Sequence, residues 1–187
     1  GDTVYRCRAK GLFRALKQKP LVGDDVEIDI TDTVSVPPEG NVIRLYPRTN
    51  ALIRPNVANV DQALLVFSIT KPYPSYNMLD RFLLVLARKD LHAVICFNKK
   101  DLASPEEIRE LQETYEACGC QVLFISNVTG ESIDQVREVL AHKTTVITGP
   151  SGAGKSTLIN LLCPHANMET GEIYLEAGDE IDEKTLK

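Results

Sequence analysis

The fold is decided by the stretch Gly149-Pro150-Ser151-Gly152-Ala153-Gly154-Lys155-Ser156, which matches the phosphate-loop pattern G-x-x-x-x-G-K-[ST] at every fixed position. The preceding residues 144–148 are all β-branched and predict a buried strand, and residues 156–162 have the apolar spacing of a short helix. The motif therefore lies in the strand, loop and helix context that it requires. Its glycines let backbone N–H groups turn toward one point, where the helix N-terminus stabilises an anionic phosphate.

Two side chains of this loop have predicted chemical roles. Lys155 would reach the β- and γ-phosphates of a nucleotide, and the Ser156 hydroxyl would bind Mg²⁺. These are the predicted catalytic residues, and Ser156 is the predicted metal ligand. The alternative is a glycine-rich turn that matches by chance, and a phosphate loop alone does not identify the base of the nucleotide.

Strands and helices alternate from Asp61 onward. Continuous apolar runs predict strands that are covered on both faces, and helical spacing or a capping signal predicts the helices between them. The predicted strands are 63–68, 93–97, 122–126 and 144–148, and the predicted helices are 78–87, one that begins at Ser104-Pro105, and about 131–141. This alternation indicates a mostly parallel α/β sheet that binds ligands at the carboxyl ends of its strands.

The stretch Asn98-Lys99-Lys100-Asp101 follows the second of these strands and resembles the N-K-x-D guanine-recognition motif of GTPases. A carboxylate such as Asp101 can accept hydrogen bonds from N1–H and the 2-amino group of guanine, which adenine does not offer. An unpaired carboxylate would discriminate strongly against adenine. Asn98 would bond the base edge or brace the phosphate loop, and the stem of Lys99 would cover the base plane. Without a phosphate loop, the same four residues would indicate only a solvated turn.

The third strand is followed by Ser126-Asn127-Val128-Thr129-Gly130, which resembles the second guanine-side loop of GTPases. In that loop a backbone N–H contacts the guanine O6. The usual motif has Ala after the Ser, and this chain has Asn127 there. A plain connector between a strand and a helix, with Thr129 or Glu131 near the helix start, explains these residues equally well.

Residues 1–54 predict a small β-domain. Alternating runs at 4–9, 26–30 and 41–46 predict three strands with turn signals between them, which favours a small barrel such as an oligonucleotide-binding (OB) barrel. We expect the first strand of that barrel to be missing. A β-domain that only packs against its neighbour is the alternative, because aromatic residues are too few to indicate a surface for single-stranded nucleic acid. Residues 47–59 lack periodicity and predict a linker, and the predicted second domain comprises residues 55–187.

The composition is that of an ordinary globular protein. The chain has 187 residues, of which 43% are hydrophobic and 25% are charged, enough for one medium domain and a smaller one. No apolar run approaches the ~18 residues of a membrane helix and no signal-peptide core is present, so we expect a cytoplasmic protein without a membrane partner. The five cysteines are scattered, and Cys118-Gly119-Cys120 lacks a second ligand pair at zinc spacing, which favours ordinary thiols.

Charge is unevenly distributed around the net value of −5. Residues 1–20 carry six basic and one acidic side chain, whereas residues 167–187 carry seven acidic and two basic side chains. A basic N-terminal segment can bind RNA phosphates, but the same charge is as common on a merely solvated strand face.

The order of the motifs narrows the family. The N-K-x-D motif and the Ser126 loop precede the phosphate loop, whereas an ordinary GTPase has its phosphate loop first, so the order indicates a circular permutation. With a β-domain in front, and with Asn59-Val60-Asp61-Gln62 and Leu79-Asp80-Arg81-Phe82-Leu83 around the first α/β strand and helix, residues 4–172 resemble the ribosome small-subunit-dependent GTPases, the RsgA family. We therefore predict an α/β fold: a circularly permuted phosphate-loop GTPase domain preceded by a small OB-like β-barrel.

The resemblance implies a factor that binds and hydrolyses GTP, is stimulated by the small ribosomal subunit and acts late in maturation of that subunit. It implies GTP or GDP and Mg²⁺ as bound groups, the small subunit and its rRNA as partners, RNA binding by the barrel, and a C-terminal zinc domain. We also expect a monomer. The predicted nucleotide contacts are Asn98, Lys99, Asp101, Ser126, Asn127, Gly149, Ser151, Gly152, Ala153, Gly154, Lys155, Ser156 and Thr157.

The family pattern is followed only in part after the phosphate loop. Thr170-Gly171-Glu172-Ile173 matches its Thr-Gly-Glu-Ile segment, but the basic switch, the Asp-x-Pro-Gly loop and the zinc ligands do not follow in this sequence. Hydrolysis needs a water held in line and charge stabilisation around the γ-phosphate. We therefore expect this chain to bind guanine nucleotides with little turnover, and we expect its second domain to be incomplete at the C-terminus or to lack a switch near Ile173.

Two other functional classes fit some of the residues. A phosphate-loop kinase would use the same loop with ATP, although Asp101 would then have no guanine to bind. A nucleotide-binding, RNA-binding module without turnover is the other alternative.

Overall fold

The structure is a computed structural model that describes residues 3–9, 11, 13, 19–53, 55–71, 73–164 and 173–175. Contacts between Cα atoms divide the chain into two compact units, Gly1–Asn59 and Val60–Lys187. The match at Thr170-Gly171-Glu172 and most of the acidic stretch 167–187 lie outside the described residues. In the part of the chain that is described, no helix is both long and apolar enough to cross a membrane.

The first unit contains a three-stranded sheet. Its strands are β1 (Arg6–Ala9), β2 (Val26–Asp32) and β3 (Glu39–Leu45). The central strand β3 pairs in parallel with β1 and antiparallel with β2. These strands overlap the three that period-two alternation predicts, because successive side chains of a strand lie on opposite faces of the sheet.

The segment 47–59 belongs to the first unit and is packed within it, so its interpretation as a linker is wrong. The backbone N–H of Ala58 donates to the Val22 carbonyl at 2.9 Å, and the Val57 and Ala58 side chains are fully buried. A Cβ at Gly23, whose φ is +83°, would lie 2.3 Å from the Ala58 carbonyl oxygen, so this close approach requires glycine. Isolated contacts hold this segment, and they leave no regular spacing of apolar residues by which the sequence could reveal them.

The second unit is a five-stranded sheet flanked by helices. Its strands are β4 (Gln62–Ser68), β5 (His92–Asn98), β6 (Gln121–Phe124), β7 (Thr145–Thr148) and β8 (Ile173–Leu175). Its helices are α1 (Tyr76–Ala87), α2 (Pro105–Glu116), α3 (Ile133–Leu140) and α4 (Lys155–Leu162), with a 3₁₀ turn at Lys100–Leu102. The strand order is β6-β5-β4-β7-β8, and all pairs are parallel except that of β7 with β8. The predicted α/β architecture is confirmed.

Local sequence explains these elements. Every residue of β4 is buried, as a continuous apolar run in the middle of a covered sheet requires. Helix α2 begins where the capping signal predicts: the Ser104 hydroxyl accepts from the Glu107 N–H at 3.2 Å, and the Glu107 carboxylate accepts from the Ser104 N–H at 2.8 Å. Pro105 occupies the first turn, where its missing N–H costs nothing.

The topology brings the three sequence motifs to one edge. Strand β4 lies at the centre, with β5 and β6 on one side of it and β7 on the other. Because these four strands are parallel, the loops that follow β5, β6 and β7 all leave from the same edge. The strand order reverses at β4: the chain first adds β5 and β6 on one side of it and then β7 on the other. Such a switch point opens a crevice for a ligand.

Candidate functional site

A cavity of about 740 Å³ opens at this edge of the second unit. It is lined by Asn98, Lys99, Asp101, Asn127, Val128, Thr148, Gly149, Ser151, Gly152, Gly154, Lys155, Ser156 and Thr157. The other two predicted contacts, Ser126 and Ala153, are fully buried. Sequence reasoning missed Val128 and Thr148, although each lies beside or within a motif that it had identified.

The glycines of the phosphate loop adopt backbone conformations that other residues rarely reach. Gly149, Gly152 and Gly154 have φ values of +151°, +77° and +93°. A Cβ at Gly149 would lie 2.0 Å from the Val66 carbonyl oxygen of β4. The loop therefore passes directly against the central strand, and this approach excludes any side chain at position 149.

Helix α4 begins at the phosphate loop. Gly154 is its N-cap, and the Gly154 carbonyl accepts the first helical hydrogen bond from the Leu158 N–H at 2.9 Å. Backbone N–H groups and the positive end of the helix dipole point toward the start of a helix, an arrangement that favours anions. The Lys155 ammonium donates to the carbonyls of Gly149 and Pro150 at 2.7 and 2.9 Å, so its charge lies at the loop.

The opposite end of α4 is held by Arg137 of α3. The guanidinium donates to the Leu161 carbonyl at 2.6 Å and to the Leu162 carbonyl at 3.0 Å. A cation that bonds the last carbonyls of a helix satisfies them and complements the helix dipole. This contact fixes the axis of α4, whose first turn lines the cavity.

Asn98 connects the end of β5 to the phosphate loop. The residue is only 2% exposed, and its Nδ2 donates to the Ala153 carbonyl at 2.9 Å. Its Oδ1 accepts from the backbone N–H groups of Lys99 at 2.7 Å and Asn127 at 3.1 Å. In this structure Asn98 ties the phosphate loop to the N-K-x-D stretch and to the loop after β6.

The Asp101 carboxylate is fixed by the loop after β6. The Ser126 hydroxyl donates to Asp101 Oδ1 at 2.5 Å, and it accepts from the Thr129 N–H at 3.2 Å. Asp101 is itself exposed at the cavity. A hydroxyl that binds one carboxylate oxygen orients the group and leaves acceptor capacity for a ligand.

Lys99 and Lys100 are held in defined positions. Lys99 has a left-handed backbone with φ of +68°, and its ammonium donates to the Lys71 carbonyl. The Lys100 backbone N–H donates to the Ile125 carbonyl at 2.9 Å, and its ammonium pairs with Glu131. The N-K-x-D stretch is therefore tied to the ends of β4 and β6 as well as to β5.

Asn127 adds a second side-chain contact to the phosphate loop. Its Nδ2 donates to the Gly154 carbonyl at 2.8 Å. Its Oδ1 is buried without a hydrogen-bond partner among the described residues. The sequence predicted that position 127 lies at the nucleotide, but not that this amide reaches across to the loop.

The family assignment follows from two matches. The RsgA GTPase family model matches residues 45–179, and the RsgA N-terminal domain model matches residues 1–35. The chain belongs to the RsgA GTPase family.

Curated relatives agree with this assignment. The chain is 50% identical over 173 residues to the small ribosomal subunit biogenesis GTPase RsgA of Agathobacter rectalis, covering 92% of this chain and 57% of the relative. It is 45% identical over 170 residues to the protein of the same name from Alkaliphilus metalliredigens, covering 91% of this chain and 58% of that relative. The chain therefore spans less than two thirds of the length of these RsgA relatives.

Solved structures of similar proteins share the fold. YjeQ from Thermotoga maritima superposes with a TM-score of 0.76 at 29% identity, covering 93% of this chain and 66% of that protein. YloQ, described as a circularly permuted GTPase, superposes with a TM-score of 0.73 at 34% identity, covering 100% of this chain and 67% of that protein. Together with the motif order, these matches confirm the circular permutation of this RsgA-family chain.

The described part of the chain places no group of three or more His, Cys, Asp or Glu side chains where they could hold a metal ion. Cys118 is exposed, Cys120 is half-buried, and neither forms a disulfide.

The close contact of Gly149 with β4 can be tested by its effect on stability. We expect Gly149→Ala to lower the free energy of unfolding by about 2–4 kcal/mol, because the new Cβ would overlap a backbone carbonyl that cannot move without distorting the central strand. Gly119→Ala is the control: Gly119 also has a positive φ, +77°, but has open space around it, so only the backbone cost of about 1 kcal/mol is expected. Urea denaturation followed by circular dichroism compares them, and equal losses would contradict the close approach.

Proposed function

We propose that this protein binds GTP and GDP in the cavity, hydrolyses GTP, and acts late in the maturation of the small ribosomal subunit. One observation carries the nucleotide assignment: an exposed carboxylate, Asp101, is fixed at the same cavity as a glycine-rich loop with Lys155. The names of its curated relatives, small ribosomal subunit biogenesis GTPases, support the cellular role.

The base site is built on Asp101. Its carboxylate accepts from N1–H and the 2-amino group of guanine, while the Ser126 hydroxyl holds one of its oxygens at 2.5 Å. The Lys99 stem covers the base plane. An adenine would leave the carboxylate unpaired, and this penalty favours guanine over adenine.

The phosphate site is built on the glycine-rich loop and the first turn of α4. Backbone N–H groups, the Lys155 ammonium and the hydroxyls of Ser151, Ser156 and Thr157 form a donor set that suits an anionic phosphate chain. The Ser156 hydroxyl is an oxygen ligand of the kind that Mg²⁺ prefers. When bound, Mg²⁺ would neutralise charge on the phosphate oxygens, and Lys155 would stabilise the same charge as it develops.

The residues that line the cavity can bind the nucleotide and stabilise charge on its phosphates. They do not include an obvious general base for the attacking water. Asp101 is the one carboxylate among the lining residues in the described part of the chain, and the guanine accounts for it. No second carboxylate in this lining set is therefore available to orient the attacking water. This is why we propose slow turnover by the chain alone and stimulation by the small subunit.

The first unit offers a surface for rRNA. Arg6 and Arg8 are exposed on β1, and the Arg44 guanidinium lies 5.1 Å from the centre of the exposed Tyr46 ring. Arginines bind RNA phosphates, and a guanidinium beside an aromatic ring can stack with a base. We place the protein in the cytoplasm as a monomer that uses this unit to contact the subunit.

Substitution of Asp101 tests the base site. We expect Asp101→Asn to weaken GDP binding about a hundredfold or more, because it removes a charged acceptor of two hydrogen bonds. Xanthosine diphosphate carries a carbonyl where guanine has the amino group, so the new amide can donate to it and this nucleotide should bind the variant better than GDP does. Competition against a fluorescent GDP analogue measures both affinities.

Glu106→Gln, the same chemical change at an exposed position of α2, is the control and should leave GDP binding unchanged. Unchanged GDP affinity of the Asp101 variant would contradict the guanine assignment.

The subunit contact is tested with purified small ribosomal subunits. We expect them to increase the GTPase rate of the protein. The double variant Arg8→Ala/Arg44→Ala should weaken cosedimentation with the subunit about tenfold and reduce the salt dependence of binding, because two phosphate contacts are lost. Its GDP affinity should not change, since neither arginine lines the cavity.

Arg88 is an exposed arginine of the second unit, and Arg88→Ala is the matched control. This variant should cosediment with the subunit like the unmodified protein. No stimulation of the unmodified protein would contradict the proposed hydrolysis, and full binding by the double variant would exclude this surface.

A further inference from the structure

Asn127 stands where the usual guanine-side motif has Ala, and its side chain contacts the phosphate loop. Its Nδ2 donates to the Gly154 carbonyl oxygen at 2.8 Å. The same oxygen accepts from the Leu158 N–H at 2.9 Å, so both of its lone pairs have donors. The carbonyl that starts α4 is thus fixed from inside the helix and from the loop after β6.

Fixing this carbonyl also fixes a donor at the phosphate site. A peptide group is planar and trans, so the Lys155 N–H points opposite to the Gly154 carbonyl of the same peptide. That N–H belongs to the first turn of α4, the end of the helix that lines the cavity. Asn98 acts in the same way one residue earlier, because its bond to the Ala153 carbonyl fixes the Gly154 N–H. Two consecutive donors therefore depend on amides from the two guanine-side loops.

Gly154 provides the room for both amides. A Cβ at this position would lie 2.2 Å from Asn98 Nδ2 and 2.8 Å from Asn127 Nδ2. The two asparagines are also bonded to each other, since the Asn127 N–H donates to Asn98 Oδ1 at 3.1 Å. The amides form one connected clamp around a single glycine.

We propose that Asn127 is a positioning residue that holds the Lys155 N–H toward the β-phosphate. Through it, a side chain of the base-recognition loop sets the affinity for the phosphate chain without contacting the base. This proposal rests on the proposed guanine-nucleotide site and adds a residue to it that the usual motif, with Ala, does not have.

The dependence of affinity on the length of the phosphate chain tests this role. We expect Asn127→Ala to weaken GDP binding about three- to tenfold, the effect of one hydrogen bond, and to weaken GMP binding less than about twofold. The GDP-to-GMP affinity ratio should therefore fall. Asn127→Asp keeps the shape but cannot donate, and should lower the ratio further. Competition against a fluorescent GDP analogue gives the GDP and GMP affinities of the unmodified protein and of both variants.

Gln112→Ala removes an exposed side-chain amide from α2 and is the matched control, with no change in either affinity. Thermal melting checks folding, and the Asp variant supplies the comparison if the Ala variant unfolds. Equal losses of GDP and GMP affinity would show that Asn127 acts on the base, and no loss would show that the clamp is dispensable; either result overturns the proposal. If the unmodified protein binds ADP as tightly as GDP, the proposed guanine site itself is wrong.

Discussion

The meeting of two side-chain amides at Gly154 is the constraint on which the site depends. Asn98 and Asn127 bond the carbonyls of Ala153 and Gly154 at 2.9 and 2.8 Å, and a side chain at position 154 would collide with both. The loops after β5 and β6 are thereby fixed to the loop after β7. A base and a phosphate chain can then be held at a constant separation, because the groups that would bind them belong to one hydrogen-bonded unit.

The sheet makes this meeting possible in a permuted chain. The site requires that the ends of β5, β6 and β7 leave the same edge, and the parallel order around the buried β4 satisfies this requirement whichever loop comes first in sequence. The glycine at position 149 lets the phosphate loop lie against the Val66 carbonyl of β4. Chain order can therefore change while the geometry of the edge is kept, and this RsgA-family chain shows that arrangement.

Local signals in the sequence were sufficient for most of the second unit. Continuous apolar runs predicted its parallel strands, the capping box at Ser104 predicted the start of α2, and the phosphate-loop motif predicted the turn into α4. Bracing of the phosphate loop by Asn98 was one of the two roles expected for that residue, but the packed segment 47–59 and the contact of Asn127 with Gly154 were not predicted. Both consist of single contacts between residues distant in sequence, such as Asn127 with Gly154, and neither produces a period or a conserved spacing that one sequence can reveal. The role of Asn127 could be suspected only from its departure from the usual Ala.

Hydrogen exchange with and without nucleotide tests the central claim most directly. If base and phosphate sites form one unit, saturating GDP should slow amide exchange together in residues 98–102, 126–130 and 149–157, whereas ADP at the same concentration should slow none of them comparably. Protection by GDP of residues 149–157 alone, or equal protection by ADP, would contradict a guanine-nucleotide site in which the three loops act together.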